Sequence, residues 1–241
     1  MIIIPDIHGR TFWKNAVGGR ENDEILFLGD YVDPYTSAEG IAQCEGMNML
    51  LDIIEFKKQH MNNVILLLGN HDLSYVSNQF PKCRYDNKNA DSIKKALTDN
   101  LPLFKIAHEK VIAGKRYIFT HAGILPHWWK KNKATLGQLK YENAVETLNS
   151  KFADGILYAA LSDVSYFRGG RLKYGSCVWA DLVEHLDYFA NPGYTLTPSI
   201  YQVFGHTFLG DTLPIITSHF ACLDCGTAFC LNDDGNILEI V

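Results

Sequence analysis

The stretch LFLGDYVDPY, Leu26 to Tyr35, runs out of an apolar segment into Gly29 and then sets down Asp30 and Asp33, three residues apart. The apolar half reads as a buried strand, and carboxylates are tolerated only where such a strand ends. Four further runs have the same form: MIIIP, VILLLG, RYIFTH and YQVFG, each closing on Gly, Pro or a polar residue. Between the second and third strands, Glu39 to His60 places Ile41, Met47, Leu50, Leu51 and Ile54 ahead of a charged tail (Glu55, Lys57, Lys58). That spacing predicts an amphipathic helix of about 20 residues. Strand, helix and strand in succession point to an α/β fold with a parallel sheet.

The chain has 241 residues and 47% hydrophobic content, enough for one sizeable core, so a single domain over residues 1–241 is expected. A mostly helical insert is expected around 126–165, with short strands after it punctuated by DDGN, Asp233 to Asn236, a turn signal. The net charge of -5 gives no overall reason to bind a nucleic acid duplex or an anionic membrane. No apolar run approaches the roughly 20 residues of a membrane span, and MIIIP lacks the basic leader of a signal peptide, so a cytoplasmic location is expected. Six cysteines are too sparse for a disulfide framework. Cys222-Leu-Asp-Cys225 would be half of a structural zinc site, and with no second pair it reads as two small residues on a buried strand.

The residues at the strand exits are more informative. Asp6 and His8 come after the first strand, Asp30 and Asp33 after the second, and Asn70, His71 and Asp72 after the third, while the fourth ends at His121 and the fifth at His206. One such residue is ordinarily a turn former or helix cap. Five strand exits carrying carboxylate, amide or imidazole are different, because the carboxyl ends of strands form the ligand crevice of open α/β sheets. The donor set suits manganese, iron or zinc and needs no thiolate.

Together PDIHG (Pro5 to Gly9), GDYVD (Gly29 to Asp33), GNHD (Gly69 to Asp72), THAG (Thr120 to Gly123) and FGHT (Phe204 to Thr207) resemble, in order, the metallophosphoesterase motifs. The likeness is greatest to the calcineurin-like branch with bacterial serine/threonine phosphatases and symmetrical diadenosine tetraphosphatases. VWAD, Val178 to Asp181, looks like a worn form of that branch's tryptophan motif. The resemblance implies a four-layer α/β/β/α sandwich with two mixed sheets flanked by helices. It also implies two divalent ions, manganese first and iron or zinc as alternatives. Asp6, His8 and Asp30 would hold one ion, and Asp30, Asn70, His121 and His206 the other, with Asp30 bridging. An amide at Asn70 rather than a third carboxylate would leave the centre net positive toward a phosphate. A hydroxide shared by the ions would attack phosphorus in line. His71 resembles the family's general acid, and Asp33 is placed to keep it protonated.

The pattern departs from the branch where the phosphate is gripped. Pro34 and Tyr35 stand where an arginine comes after the second carboxylate, and no Lys or Arg occurs from Trp179 to Val241. Arg168 and Arg171 in FRGGR are the nearest substitutes, Arg171 ahead of Arg168, with Arg84 behind them. Asp72 replaces the usual Glu and takes a supporting role, and Phe208 stands where many phosphodiesterase relatives have a further His. His219 reads as a structural histidine. HWWKKNK, His127 to Lys133, reads first as a helix start with Trp inward and Lys in water, and second as a nucleotide-base platform. The expected substrate is a phosphomonoester, on a small molecule or a phosphoprotein. A nucleotide anhydride, a phosphodiester and a non-catalytic metal-binding scaffold are the alternatives. Nothing in the order of residues encodes an oligomeric state.

Overall fold

The computed structural model describes residues 1–190, 199–210 and 213–240, which group into two compact units. The first holds Met1–Lys105 and returns at Gly226–Asn232 and from Asn236 onward; the second holds Ile106–Cys225 and Asp233–Gly235.

The first unit opens with strand β1 (Ile2–Ile4), helix α1 (Phe12–Val17), β2 (Ile25–Phe27), helices α2 (Thr36–Glu39) and α3 (Gln43–Gln59), β3 (Val64–Leu67), helices α4 (Asn70–Val76) and α5 (Ala90–Asp99), and β4 (Phe104–Lys105). The four strands pair in parallel in that order, and β1 and β2 are buried along their whole lengths, as strands covered on both faces must be. Trp13 of α1 meets Phe27 of β2 at 5.6 Å and Phe56 of α3 at 5.5 Å, so one indole joins both helices to the sheet. The helix expected from Glu39 to His60 is α3, which starts four residues later, after the short α2. Gly40 takes the left-handed conformation (φ 68°) and ends α2, and α3 starts at Gln43. Lys57 of the charged tail is buried, and its ammonium donates to the carbonyls of Met61 (2.5 Å) and Val64 (2.6 Å). A buried cation beyond a helix C-terminus is tolerated because it meets oxygens there.

The second unit contains β5 (Ala107–Ile112), β6 (Lys115–Thr120), helices α6 (Pro126–Lys131), α7 (Lys133–Leu136), α8 (Tyr141–Ala153), α9 (Tyr158–Leu161) and α10 (Leu182–Ala190), and strands β7 (Ile200–Phe204), β8 (Ile215–Ile216) and β9 (Phe220–Cys222). Its sheet runs β5-β6-β7-β9-β8 and is mixed: β6, β7 and β9 are parallel, and the edge strands are antiparallel. Finally β10 (Ala228–Leu231) and β11 (Ile237–Ile240) return to the first unit, β10 pairing antiparallel with β1, to give the order β11-β10-β1-β2-β3-β4. The fold is therefore α/β with two mixed sheets, each contacted by helices.

Trp128 and Trp129 of HWWKKNK are buried, and their indole N–H groups donate to Ala160 O (3.0 Å) and Gly137 O (3.2 Å). Both rings are used by the core, which removes the base-platform alternative. Cys222 lies on β9 and Cys225 just beyond it, both buried. His219 stacks on Phe189 at 4.8 Å. No helix of the described residues is long and apolar enough to cross a membrane.

His185 on α10 is fully buried, stacks on Phe204 at 4.5 Å and donates through Nε2–H to Ala122 O at 2.9 Å. Its Nδ1 meets no hydrogen-bond partner, so a second ring proton would have nowhere to go. Burial accordingly lowers its pKa from 6.5 to about 4. The unfolded ring binds a proton in that window and the folded ring does not, so stability is lost as pH falls from about 6.5 toward 4. The expected slope is about 1.4 kcal/mol per pH unit from this residue. Urea unfolding between pH 6.5 and 4.5 should show that slope reduced by about one proton's worth in His185→Phe; equal slopes would mean that the ring is protonated in the fold.

Candidate active site

The site begins in unfavourable backbone. His8, Asp30 and Asp33 have φ of 44°, 55° and 56°, the left-handed region that costs a non-glycine residue. The surrounding bonds explain why they stay there. Asp30 O accepts the N–H groups of Ile7 (3.1 Å) and His8 (2.7 Å), which joins the exits of β1 and β2. The Asp72 carboxylate accepts from Asp30 N (2.7 Å) and Gly69 N (2.9 Å) on one oxygen and Tyr31 N (2.9 Å) on the other. Glycine is obligatory at two of these positions: a Cβ on Gly29 would lie 2.4 Å from Gly69 N, and one on Gly69 would lie 2.0 Å from Asp30 Oδ1.

On that frame, His8 donates from Nδ1 to Val32 O at 2.8 Å, which leaves the Nε2 lone pair facing inward. It lies 3.5 Å from Asp30 Oδ2 and 4.0 Å from Asp6 Oδ2, and all three residues are buried. Burial holds the His8 pKa well below its ordinary value, so a neutral imidazole lone pair and two carboxylates converge. A ring nitrogen of His71 also lies within 4.8 Å of the His8 and Asp30 ligand atoms. A donor set of this kind, rich in negative charge and lacking thiolate, fits a hard or borderline dication. Asn70 is buried at the first turn of α4, in the same unit.

In the second unit, His121 comes directly after β6 and His206 just beyond β7, the latter with φ 66°. Both are buried, and His121 Nε2 lies 3.1 Å from His206 Nδ1, a spacing that suits two imidazoles turned to one cation. Gly205 N–H donates to His121 O at 2.9 Å and fixes the two exits together. Trp179, from VWAD, sets its ring edge-on to His206 at 5.9 Å. Arg168 is engaged beside them: Nε pairs with Asp181 Oδ2 at 2.8 Å and Nη2 donates to Thr207 Oγ1 at 2.5 Å. Arg171 is exposed.

His71 and Asp33 form the expected pair in the first unit, Nδ1 to Oδ2 at 2.8 Å, both buried. Burial alone would lower the His71 pKa, but the Asp30 charge and the Asp33 bond outweigh it and raise the value to about 10. His71 is therefore an imidazolium, with Asp33 as its counter-ion.

Three neighbours of this pair are hard to find from sequence. Arg84, itself left-handed at φ 48°, donates from Nε to Asp33 O at 3.2 Å, lies 3.3 Å by Nη2 from His8 Nε2, and sets its Cζ 3.7 Å over the Tyr35 ring. By sequence it is the weakest of the three arginine candidates, since no periodic signal links position 84 to 8 or 35. Tyr35 stands out there only for not being an arginine. Tyr75 donates to Asp33 Oδ1 at 2.5 Å, and here a signal does exist, since it falls four residues after His71 on one helix.

A family model described as calcineurin-like phosphoesterase matches residues 2–208. Among solved structures, the chain resembles a protein serine/threonine phosphatase from Saccharomyces cerevisiae with similarity to human phosphatase PP5. That match has 15% identity and TM-score 0.54, over 99% of this chain and 78% of that one. It is also similar to the phosphatase domain of the Legionella effector WipB, at 14% identity and TM-score 0.38, over 56% of this chain and 53% of that one. No curated protein gives a significant sequence match.

Cysteine reactivity gives an independent check on this geometry. Cys83 is exposed, and the neighbouring His71 and Arg84 lower its thiol pKa. Brief iodoacetamide treatment of the native protein, read by peptide mass, should label Cys83 before exposed Cys44 and leave Cys222 and Cys225 untouched. Labelling of Cys225 as fast as Cys83 would reopen a metal or redox role for the CxxC pair.

Proposed function

We propose that this chain, which belongs to the calcineurin-like phosphoesterase family and is a metal-dependent phosphoric ester hydrolase, acts on a phosphomonoester, with phosphoserine or phosphothreonine side chains as the preferred class. The observation that carries the reading is the buried Asp33–His71 pair beside the His8 and Asp30 ligand atoms. A proton donor next to a cation site is what cleavage of an ester with a poor leaving group requires.

The ligand assignment rests on the family resemblance: Asp6, His8 and Asp30 for one ion, and Asp30, Asn70, His121 and His206 for the other. Manganese is proposed because the donors are oxygen and imidazole. When bound, the ions supply the Lewis acidity that activates water and steadies the phosphoryl oxygens. The chain's own residues do the rest. Asp33 fixes the His71 ring through Nδ1, so the Nε2 side gives its proton to the departing alkoxide as the P–O bond breaks, and solvent returns it. Asp72 keeps Asp30 in place by holding its backbone N–H. Arg84 is proposed to take over the phosphate contact that Pro34 cannot make, because its guanidinium lies against His8 and is supported by Tyr35. The family model spans residues of both units, which supports treating them as a single catalytic domain. The exposed thiols of Cys44 and Cys83 suit a reducing, cytoplasmic setting.

Two variants test the assignment with the manganese-loaded protein. His71→Ala should cut kcat on an alkyl phosphate by about 100-fold or more while an aryl phosphate with a good leaving group loses much less. Equal losses would remove the acid role. Arg84→Ala should raise KM for both esters roughly 10-fold with metal content unchanged, and Arg171→Ala should leave KM alone. The reverse result would return the phosphate contact to Arg171.

A further inference from the structure

The loop after α4 is built more rigidly than a connection needs to be. Asp86, 3% exposed, accepts from Lys88 N (3.0 Å) and Asn89 N (3.1 Å) on one oxygen and Asn89 Nδ2 (2.7 Å) on the other, closing the loop on itself. Tyr85 stacks on Tyr75 with centroids 4.2 Å apart and planes 13° from parallel, and the Lys82 ammonium covers Tyr85 at 3.9 Å from its centroid. Arg84 leaves from the centre of this arrangement toward Asp33, His8 and Tyr35.

Tyr75 meets this loop at both Tyr85 and Asp86. Its hydroxyl accepts from Asp86 N at 2.6 Å and gives its only proton to Asp33 Oδ1 at 2.5 Å. Asp33 is thereby held at three atoms: Oδ2 by His71, Oδ1 by Tyr75, and its carbonyl by Arg84. Tyr75 is 2% exposed, so water is not at hand to replace a lost bond. A carboxylate bonded through one oxygen can rotate about its Cβ–Cγ bond; bonded through both, it cannot.

We propose that Tyr75 is a positioning residue whose hydroxyl ties Asp33, and through it the acid His71, to the backbone of the loop that presents Arg84. Proton delivery and phosphate contact are thereby aligned by one side chain. The proposal rests on the phosphomonoesterase reading for its kinetic consequences, but its geometric core does not depend on that reading.

Tyr75→Phe keeps the ring that stacks on Tyr85 and removes only the hydroxyl. In the manganese-loaded protein, kcat on an alkyl phosphate should fall about 10-fold, kcat on nitrophenyl phosphate should change less than about threefold, and KM should rise for both esters. Tyr85→Ala loosens the loop without touching Asp33, and should raise KM while leaving the alkyl-to-aryl kcat ratio as it was. A second readout needs no activity: proton NMR of the metal-free protein, tracking the His71 Nδ1–H held by Asp33. That resonance should be displaced or lost to exchange in Tyr75→Phe and retained in Tyr85→Ala. An unmoved resonance with an unchanged alkyl-to-aryl ratio in Tyr75→Phe overturns the proposal, as does an equal fall on both esters with the resonance in place, which is the mark of a packing role. If the unsubstituted protein, loaded with manganese, hydrolyses neither ester, the phosphomonoesterase reading fails, and the NMR comparison still decides whether Tyr75 holds the pair.

Discussion

The carboxylate of Asp72 holds the strand exits of the first unit together. It gathers the backbone N–H groups of Asp30, Tyr31 and Gly69, and so fixes the exit of β2 against the exit of β3. Left-handed backbone at Asp30 costs on the order of 1–3 kcal/mol, and charge-assisted bonds to buried amides are strong enough to offset it. The gain is that the Asp30 carboxylate has one place to be. The mutual contact of Gly29 and Gly69 arises from the same constraint, because two exits drawn this close leave no room for a Cβ on either.

Much of this is legible in the sequence, and the reason is physical. Buried parallel strands must be continuous apolar runs, so β1, β2, β3, β6 and β7 stand out, and the polar residues at their ends are conspicuous by contrast. Edge elements are harder. Strands of two residues such as β4 and β8 carry too little pattern to find, and α5 is hidden beside a stretch that looks like loop. Long-range bonds are harder still. The pairing of Asp33 with His71 comes through a family resemblance, whereas nothing in the order of residues says that an arginine 51 positions after Asp33 donates to its carbonyl.

Arg84 shows how an arginine outside every motif can reach the residues that the motifs supply. Pro34 carries no charge in the turn after Asp33, and the Arg84 guanidinium comes beside Asp33 and His8 from a separate loop, over the Tyr35 ring. A guanidinium lying on an aromatic face keeps its N–H groups in plane for bonds to oxygen, and Asp33 O accepts the one at Nε. A lysine at position 84 would not reproduce both contacts.

The strand pairing sets an order of events in synthesis. One of the two neighbours of β1 is β10, at Ala228–Leu231, and Ile106–Cys225 of the second unit separate the two strands along the chain. As the chain emerges from the ribosome, Ile2 to Ile4 therefore wait with one edge of backbone N–H and C=O groups unsatisfied until β10 has been made. Closing that gap late and over so long a loop makes completion of the first sheet a slow, non-local step, and an apolar edge left open meanwhile is the segment chaperones would have most reason to cover.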